Sequence, residues 1–393
     1  MTILRNERQG GPLLAIDAGD ALYPPAKRRT RAPEDLEKRA AFIREVYARA
    51  EFDAVVPGEL DVYPTLDALV EFGKTVPMIA ANMVDAETGA PIFPASRVVE
   101  HGGMKIGLVG ILGPRAFAGT PANADFDAKV WAEQQSNGGA AARKMRLSKL
   151  REQMAKAAKD EKGKAQAEEI LKAIQDEAGQ DAGDDEAPTP PQYTGRKFRI
   201  TDGVAAAKAE AAKLAGQADM IVLVGHMEKD ETDALRAAVP EIPFMIDGHT
   251  EAKSMFATGA QEAGTPHVLR SGNRGRALSL VTIRIQDGVM TFQDRGNRER
   301  DEQTLKRQKN LWDKLVQQAG GKDPLDAFPK DDPRFKRAER TKALIAETEA
   351  KLKEKTAESW FETKTIGLDP SVEGDPELRA KEDELDPPAT RGH

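Results

Sequence analysis

Four short stretches of this 393-residue chain end in side chains able to bind metal ions: Gly19-Asp20, Gly58-Glu59, Gly225-His226 and Gly248-His249. Neutral imidazoles together with carboxylates suit Zn, Mn or Fe. Two such ions about 4 Å apart can bind a phosphate, activate a water and stabilise a leaving oxygen. The glycine before each ligand lets the backbone turn sharply where the side chain emerges. Singly these pairs say little, because Gly-Asp is ordinarily a turn and a lone buried histidine is ordinarily a hydrogen-bonded core residue. Four of them in a fixed order, each at the predicted end of a strand, are far more specific.

The elements that must position them are legible as apolar runs alternating with helical patterns. Leu13 to Ile16 reads as a buried strand leading into Asp17-Ala18-Gly19-Asp20, and residues 34–50 read as an amphipathic helix with acidic residues in its first turn. Strands are expected over 52–56, 77–81 and 104–111, with a helix over 64–73. The pattern resumes with a strand over 218–224 ending at Gly225-His226, a helix over 230–238, and a strand over 243–246 ending at Asp247-Gly248-His249. Stretches 267–270, 277–285 and 289–292 read as further strands, with Gln286-Asp287-Gly288 as a hairpin turn. Strands alternating with helices at this spacing indicate a layered α/β fold, whose sites form beyond the carboxyl ends of the strands.

Composition narrows the classes of function. The chain is 39% hydrophobic and 31% charged with a net charge of −7, which opposes a general nucleic-acid binder. The basic run Lys27 to Arg31 is short and reads as a solvated loop. There is no cysteine, so disulfides, thiolate ligands, cysteine nucleophiles and haem attachment within these residues are excluded. No run approaches the ~18 apolar residues of a transmembrane span. Residues 1–11 are polar and show no secretory signal.

Between the two strand-rich halves, residues 139–178 are rich in Ala, Lys, Glu, Gln, Leu and Met, and predict a long helix or a helical hairpin pairing as a short coiled coil. Residues 179–191 are acidic and rich in Gly and Pro, which reads as a disordered link. A second helical region is expected over 300–362, with anchors Leu305, Leu311, Trp312, Leu315, Val316, Leu344, Ile345, Leu352, Trp360 and Phe361. The acidic tail from about 367, with Pro370, Pro376, Pro387 and Pro388, reads as an extended, weakly ordered linker.

The four ligand motifs, with Ala81-Asn82-Met83-Val84-Asp85 and Lys105 to Gly110 between them, resemble the 5′-nucleotidase branch of the calcineurin-like metallophosphoesterases. The likeness covers about residues 10–115 and 205–293 and includes Val268 to Arg276. It implies a layered α/β fold, a metallophosphoesterase-like β-sandwich flanked by helices, here with a helical insertion and a helical C-terminal extension. The division expected on that basis is 1–119 and 206–299 as the two halves of that domain, 120–205 as the insertion, 300–362 as the helical extension and 363–393 as the tail.

In the family a strand-end Asp bridges two ions and a His after Gly binds one, and Asp20 and His226 match these. The final Gly-His-x-His motif stands here as Gly248-His249-Thr250-Glu251, with Glu251 at the second histidine. The Gly-Asn-His-Glu motif stands as Gly58-Glu59-Leu60-Asp61, so Glu59 replaces the amide ligand. Leu60 replaces the histidine that stabilises the transition state or protonates the leaving group. The opening Asp-x-His motif should lie upstream of Asp20, and the expectation is a chain trimmed at its start. One metal position then keeps Asp20, Glu59, His226 and His249, the other only Asp20 and Glu251, and no catalytic residue is intact. The cofactor expected is one divalent ion (Mn, Zn or Fe) or none.

Two functions follow from the resemblance. One is a metal-dependent phosphoric-ester hydrolase, with weakened or lost catalysis, acting on a small phosphate ester. The other is a non-catalytic binding or assembly module, meeting a protein partner through the insertion or the C-terminal helices. The tail around Leu368 to Asp386 is similar to the link by which some nucleotidase-like domains precede multihaem cytochrome modules. Resemblance also implies a periplasmic or other extracytoplasmic location.

Overall fold

A computed structural model describes residues 2–25, 29, 31–135, 190–249, 265–271, 277–353, 359–368 and 374–385. The chain forms two compact units, Met1–Arg270 with Pro370–His393, and Ser271–Asp369. The boundary at 270/271 differs from the division expected at 299/300. Residues 277–294 belong with the second unit because their ladder partner lies at 359–367. Of the predicted insertion at 120–205, residues 136–189, which include the expected coiled coil, lie outside the described residues, and its described ends carry a helix at Ala128–Gln135 and a strand at Phe198–Ile200.

The first unit opens with α1 (Thr2–Gly10), β1 (Ile16–Asp17), α2 (Pro33–Ala50) and β2 (Ala54–Val55). Proline in the first turn of α2, with Glu34 and Asp35 beside it, suits a helix start. β1 and β2 pair in parallel, Ile16 facing Ala54 and Asp17 facing Val55. A single turn of 3₁₀ helix spans Glu59–Val62, and α3 (Leu66–Gly73) follows, capped by Thr65 accepting from the Ala68 N–H at 3.2 Å. The expected strand at 77–81 is an extended segment rather than a ladder. It bridges β2 through Ile79 N to Val55 O at 2.9 Å.

Then come β3 (Met83–Asp85), β4 (Ser96–His101), β5 (Met104–Leu112), α4 (Ala128–Gln135) and β6 (Phe198–Ile200). Helix α5 (Gly203–Leu214) starts at Asp202, whose side chain accepts from Val204 and Ala205 N–H groups. It is followed by β7 (Met220–His226), α6 (Lys229–Ala238), β8 (Phe244–Asp247) and β9 (His267–Leu269). The main sheet runs β4-β5-β7-β8-β9, parallel except for β4. Unbroken apolar runs in β5 and β7 are what a parallel sheet covered on both faces requires. Val109, Ile111, Leu223 and Met245 of the sheet pack with Ala207 and Leu214 of α5 and Leu235 of α6 in one buried cluster. This register sets the carboxyl ends of β7 and β8 side by side.

The second unit holds β10 (Ala277–Arg284), β11 (Phe292–Asp294), α7 (Arg295–Gln318), α8 (Pro324–Ala327), α9 (Pro333–Lys353) and β12 (Ser359–Gly367). The turn at Gln286-Asp287-Gly288 forms, with φ of 49° at Asp287 and 72° at Gly288, yet β10 and β11 do not pair as a hairpin. β12 lies between them, antiparallel to β10 and parallel to β11. Trp360 and Phe361, expected on a helix, therefore sit on a strand. Leu315, Phe328 and Ala338 form this unit's own small core.

The expected extended tail contains α10 (Pro376–Leu385), which packs on α2 in the first unit. Leu378 is buried, and Arg49–Glu377 and Lys381–Glu45 pairs flank the contact at 2.9 and 2.6 Å. Among the described residues no helix is long and apolar enough to cross a membrane.

Candidate metal centre

Two parallel pairs of strand ends deliver the four predicted ligands. Asp20 follows β1 and Glu59 follows β2, while His226 ends β7 and His249 stands two residues beyond β8. Asp20, Glu59, His226 and His249 each offer one donor atom, and these atoms lie within 4.8 Å of one another. His226 Nε2 is 2.7 Å from Glu59 Oε2, 3.6 Å from Asp20 Oδ2 and 3.0 Å from His249 Nδ1. His249 Nδ1 is 3.4 Å from Glu59 Oε2. Glu251, the fifth predicted ligand, lies outside the described residues.

The backbone around the ligands is tight for reasons the glycines make plain. Asp20 adopts a left-handed conformation at φ 64°. A Cβ at Gly58 would lie 2.2 Å from Asp20 Oδ1, and one at Gly248 would lie 2.1 Å from Ala18 O. Gly19, at φ 101°, and Gly225 stand beside His226 Nδ1 and the Met227 side chain respectively. All four glycines singled out in the sequence thus stand where backbone or side chains close in on the site.

His226 is fully buried, and its Nδ1 lies 2.7 Å from the Ala18 carbonyl. A carbonyl only accepts, so that nitrogen carries the proton and Nε2 faces the other three ligands. Burial opposes a charged His226, but Asp20 and Glu59 outweigh it and hold the imidazolium up to about 10. Burial pushes the Asp20 carboxyl up to about 8, with the Glu59 charge adding to it. Burial also opposes ionisation of Glu59, yet His226 and His249 hold its carboxyl well below the usual range. In the absence of a cation, protons on His226 and Asp20 compensate the crowded carboxylates.

Sequence reasoning left out three residues that build the site. Asp61 is 2% exposed and accepts from the N–H groups of Gly58 and Asp20 at 2.9 Å and of Leu22 at 2.8 Å, so one carboxylate clasps both ligand loops. Its signal was the acid three residues after Gly58, the spacing of a side chain that returns to its own turn. Asp17 accepts from Gly19 N–H and from the Tyr47 hydroxyl, both at 2.9 Å, and burial lifts its carboxyl to about 6. Glu228 Oε1 lies 3.3 Å from His249 Nε2, two residues along the chain from His226. Leu60 contributes its backbone N–H to Asp20 Oδ1 at 3.0 Å. Among the described residues no lysine or arginine pairs with any of the four ligands.

No family model matches the sequence, and no curated protein matches it. Solved structures similar to it include a Thermus thermophilus sulfate thiohydrolase, SoxB, in complex with glycerol, at 15% identity and a TM-score of 0.45. That match covers 73% of this chain and 39% of the other. The Bacillus subtilis calcineurin-like phosphoesterase YfkN matches at 15% identity and 0.43, over 73% of this chain and 76% of its own. A 5′-nucleotidase precursor from Thermus thermophilus matches at 15% and 0.42, over 72% and 44%. This chain therefore spans less than half the length of the first and third of these proteins.

Proposed function

We propose that the first unit is a metallophosphoesterase-like domain that holds one divalent cation on Asp20, Glu59, His226 and His249, and that it serves as a binding or assembly module. The observation that carries this is the 3.0 Å approach of His226 Nε2 to His249 Nδ1, beside two carboxylates. With Nδ1 of His226 committed to Ala18 O, two basic ring nitrogens converge on one point, an arrangement that only a proton or a cation relieves. Donors held by one ion at about 2.0–2.1 Å lie roughly 3.0–3.4 Å from each other. Four of the six donor separations, 2.7, 3.0, 3.4 and 3.6 Å, lie near that range, and all six lie within 4.8 Å. Two imidazoles and two carboxylates suit Zn, Mn or Fe.

The donor set also favours holding an ion over using it. Four protein donors would match the ligand number of a closed, structural zinc site, whereas hydrolytic zinc sites keep a position open. The two carboxylates balance the charge of a divalent ion, and Asp17 and Asp61 stand close behind as further acids. A phosphate ester would add negative charge to this surround, in which, among the described residues, no lysine or arginine pairs with the four ligands. Leu60 has no proton to give a leaving group. When bound, an ion here supplies Lewis acidity and electrostatic binding. Asp61 fixes the two carboxylate loops, and Ala18 O fixes the His226 tautomer. The partner class is a protein, met through the insertion or the C-terminal helices, and the compartment is extracytoplasmic, the latter carried over from the family resemblance.

A hydrolase acting on small phosphate esters is the second reading, favoured by the 25% exposure of the Asp20 side chain and 20% of His249, which opens the ligands to solvent. Elemental analysis of wild type and His226→Ala, with a generic phosphatase assay, separates the two. The proposal expects about one ion per chain, lost in the variant, and no turnover in either. Metal-dependent turnover abolished by His226→Ala would establish the hydrolase instead. A wild type that takes up no stoichiometric metal would overturn both.

A further inference from the structure

We infer that Glu228 is a positioning residue for the metal centre, accepting the Nε2 proton of His249 so that the Nδ1 lone pair of that ring faces Asp20, Glu59 and His226. This rests on the metal-centre reading above. The two histidines face one another through unlike nitrogens, Nε2 of His226 and Nδ1 of His249. Each therefore needs an acceptor for its outer nitrogen. His226 has the Ala18 carbonyl at 2.7 Å, and for His249 the acceptor is Glu228 Oε1 at 3.3 Å.

The competing arrangement is specific. Glu59 Oε2 lies 3.4 Å from His249 Nδ1 and would draw the proton inward, onto the nitrogen that must bind the ion. Glu228, on the outer side, draws it the other way. Its backbone is well fixed for this at the start of α6. The Glu228 N–H donates to Glu231 Oε2 at 2.9 Å, and its carbonyl accepts from Thr232 N at 2.9 Å and Thr232 Oγ1 at 3.2 Å. The side chain itself is 43% exposed, with Oε1 3.3 Å from His249 Nε2. A carboxylate behind a ligating histidine sets its tautomer and orientation, and losing such a partner typically weakens metal binding 10–100-fold.

The test compares zinc affinity of wild type, Glu228→Ala and Glu228→Gln by chelator competition, with unfolding temperatures to confirm that each variant folds. Glutamine keeps an acceptor oxygen but no charge. Glu228→Ala is expected to bind zinc about tenfold or more weakly, and Glu228→Gln to recover most of that loss. In ¹⁵N-resolved spectra of the zinc-loaded protein, the His249 Nε2–H is expected to be slow to exchange in wild type and fast in Glu228→Ala. Unchanged zinc affinity in Glu228→Ala would overturn the inference while leaving the metal centre standing. Equal losses in the Ala and Gln variants would also overturn it, since a distant charge would then suffice. A wild type that binds no zinc removes the metal centre and this role together.

Discussion

Removing the Asp61 carboxylate should cost more stability than any other single change at the site. Its two oxygens accept three backbone N–H bonds, from Gly58 and Asp20 at 2.9 Å and from Leu22 at 2.8 Å, at a residue 2% exposed. In Asp61→Ala those donors lose their acceptor, at about 1–3 kcal/mol each when water cannot replace it. Two effects offset part of that sum. Burial raises the Asp61 carboxyl, so deleting it also removes an unfavourable buried charge. The Asp20 and Gly58 loops can also relax toward solvent once released. A net loss of about 3–5 kcal/mol is expected, a large share of the roughly 5–15 kcal/mol typical of a domain. Asp61→Asn keeps one acceptor oxygen but turns an NH₂ toward the remaining donors, and should lose about half as much. Urea unfolding followed by circular dichroism, in the presence of a chelator and at neutral pH, reads both values from the midpoint at constant slope. The clasp would be refuted by Asp61→Ala within about 1 kcal/mol of wild type, or by an Asn variant no better than Ala.

Other perturbations test other links. The folded-state values of Asp20, about 8 against 3.8, and of His226, about 10 against 6.5, are both raised. Both groups therefore stabilise the fold at low pH and lose that contribution as pH rises, Asp20 across about 4–8 and His226 across about 6.5–10. Chelated protein should melt lower at pH about 9 than at pH about 6, and zinc should narrow the gap; equal melting temperatures without metal would contradict the buried-charge account. Gly58→Ala places a methyl 2.2 Å from Asp20 Oδ1 and should abolish stoichiometric metal, which elemental analysis would show. Retention of the ion would mean that the two loops tolerate separation. In the second unit, Leu315→Ala opens the small core of Leu315, Phe328 and Ala338 and should cost about 2–5 kcal/mol, read from tryptophan fluorescence through Trp312 packed beside it. An unchanged transition would show that the helices owe little to that core.

The sequence by itself determined the elements that carry the ligands and the order in which they arrive. Continuous apolar runs in β5 and β7, the amphipathic α2 and the glycine before each ligand are local features, set by side-chain period and backbone freedom within a few residues. They sufficed to bring out Asp20, Glu59, His226 and His249 as one group. Tertiary structure decided what depends on distant partners. Asp61 reads as one more acid in a turn until the Asp20 loop, about 40 residues away in sequence, supplies two of its donors. Trp360 and Phe361 fit a helix by spacing with Leu352, yet β10 and β11 offer a gap that only an extended segment fills, and strand pairing wins. The acidic tail has no apolar face large enough to order alone; Leu378 and the ion pairs to α2 order α10 by contact. The turn at Asp287-Gly288 is the sharpest case. Its residues dictate the reversal, because φ is positive at both positions, but they cannot dictate the neighbour of each strand. That choice belongs to β12, which arrives more than 60 residues later and completes the ladder on both sides.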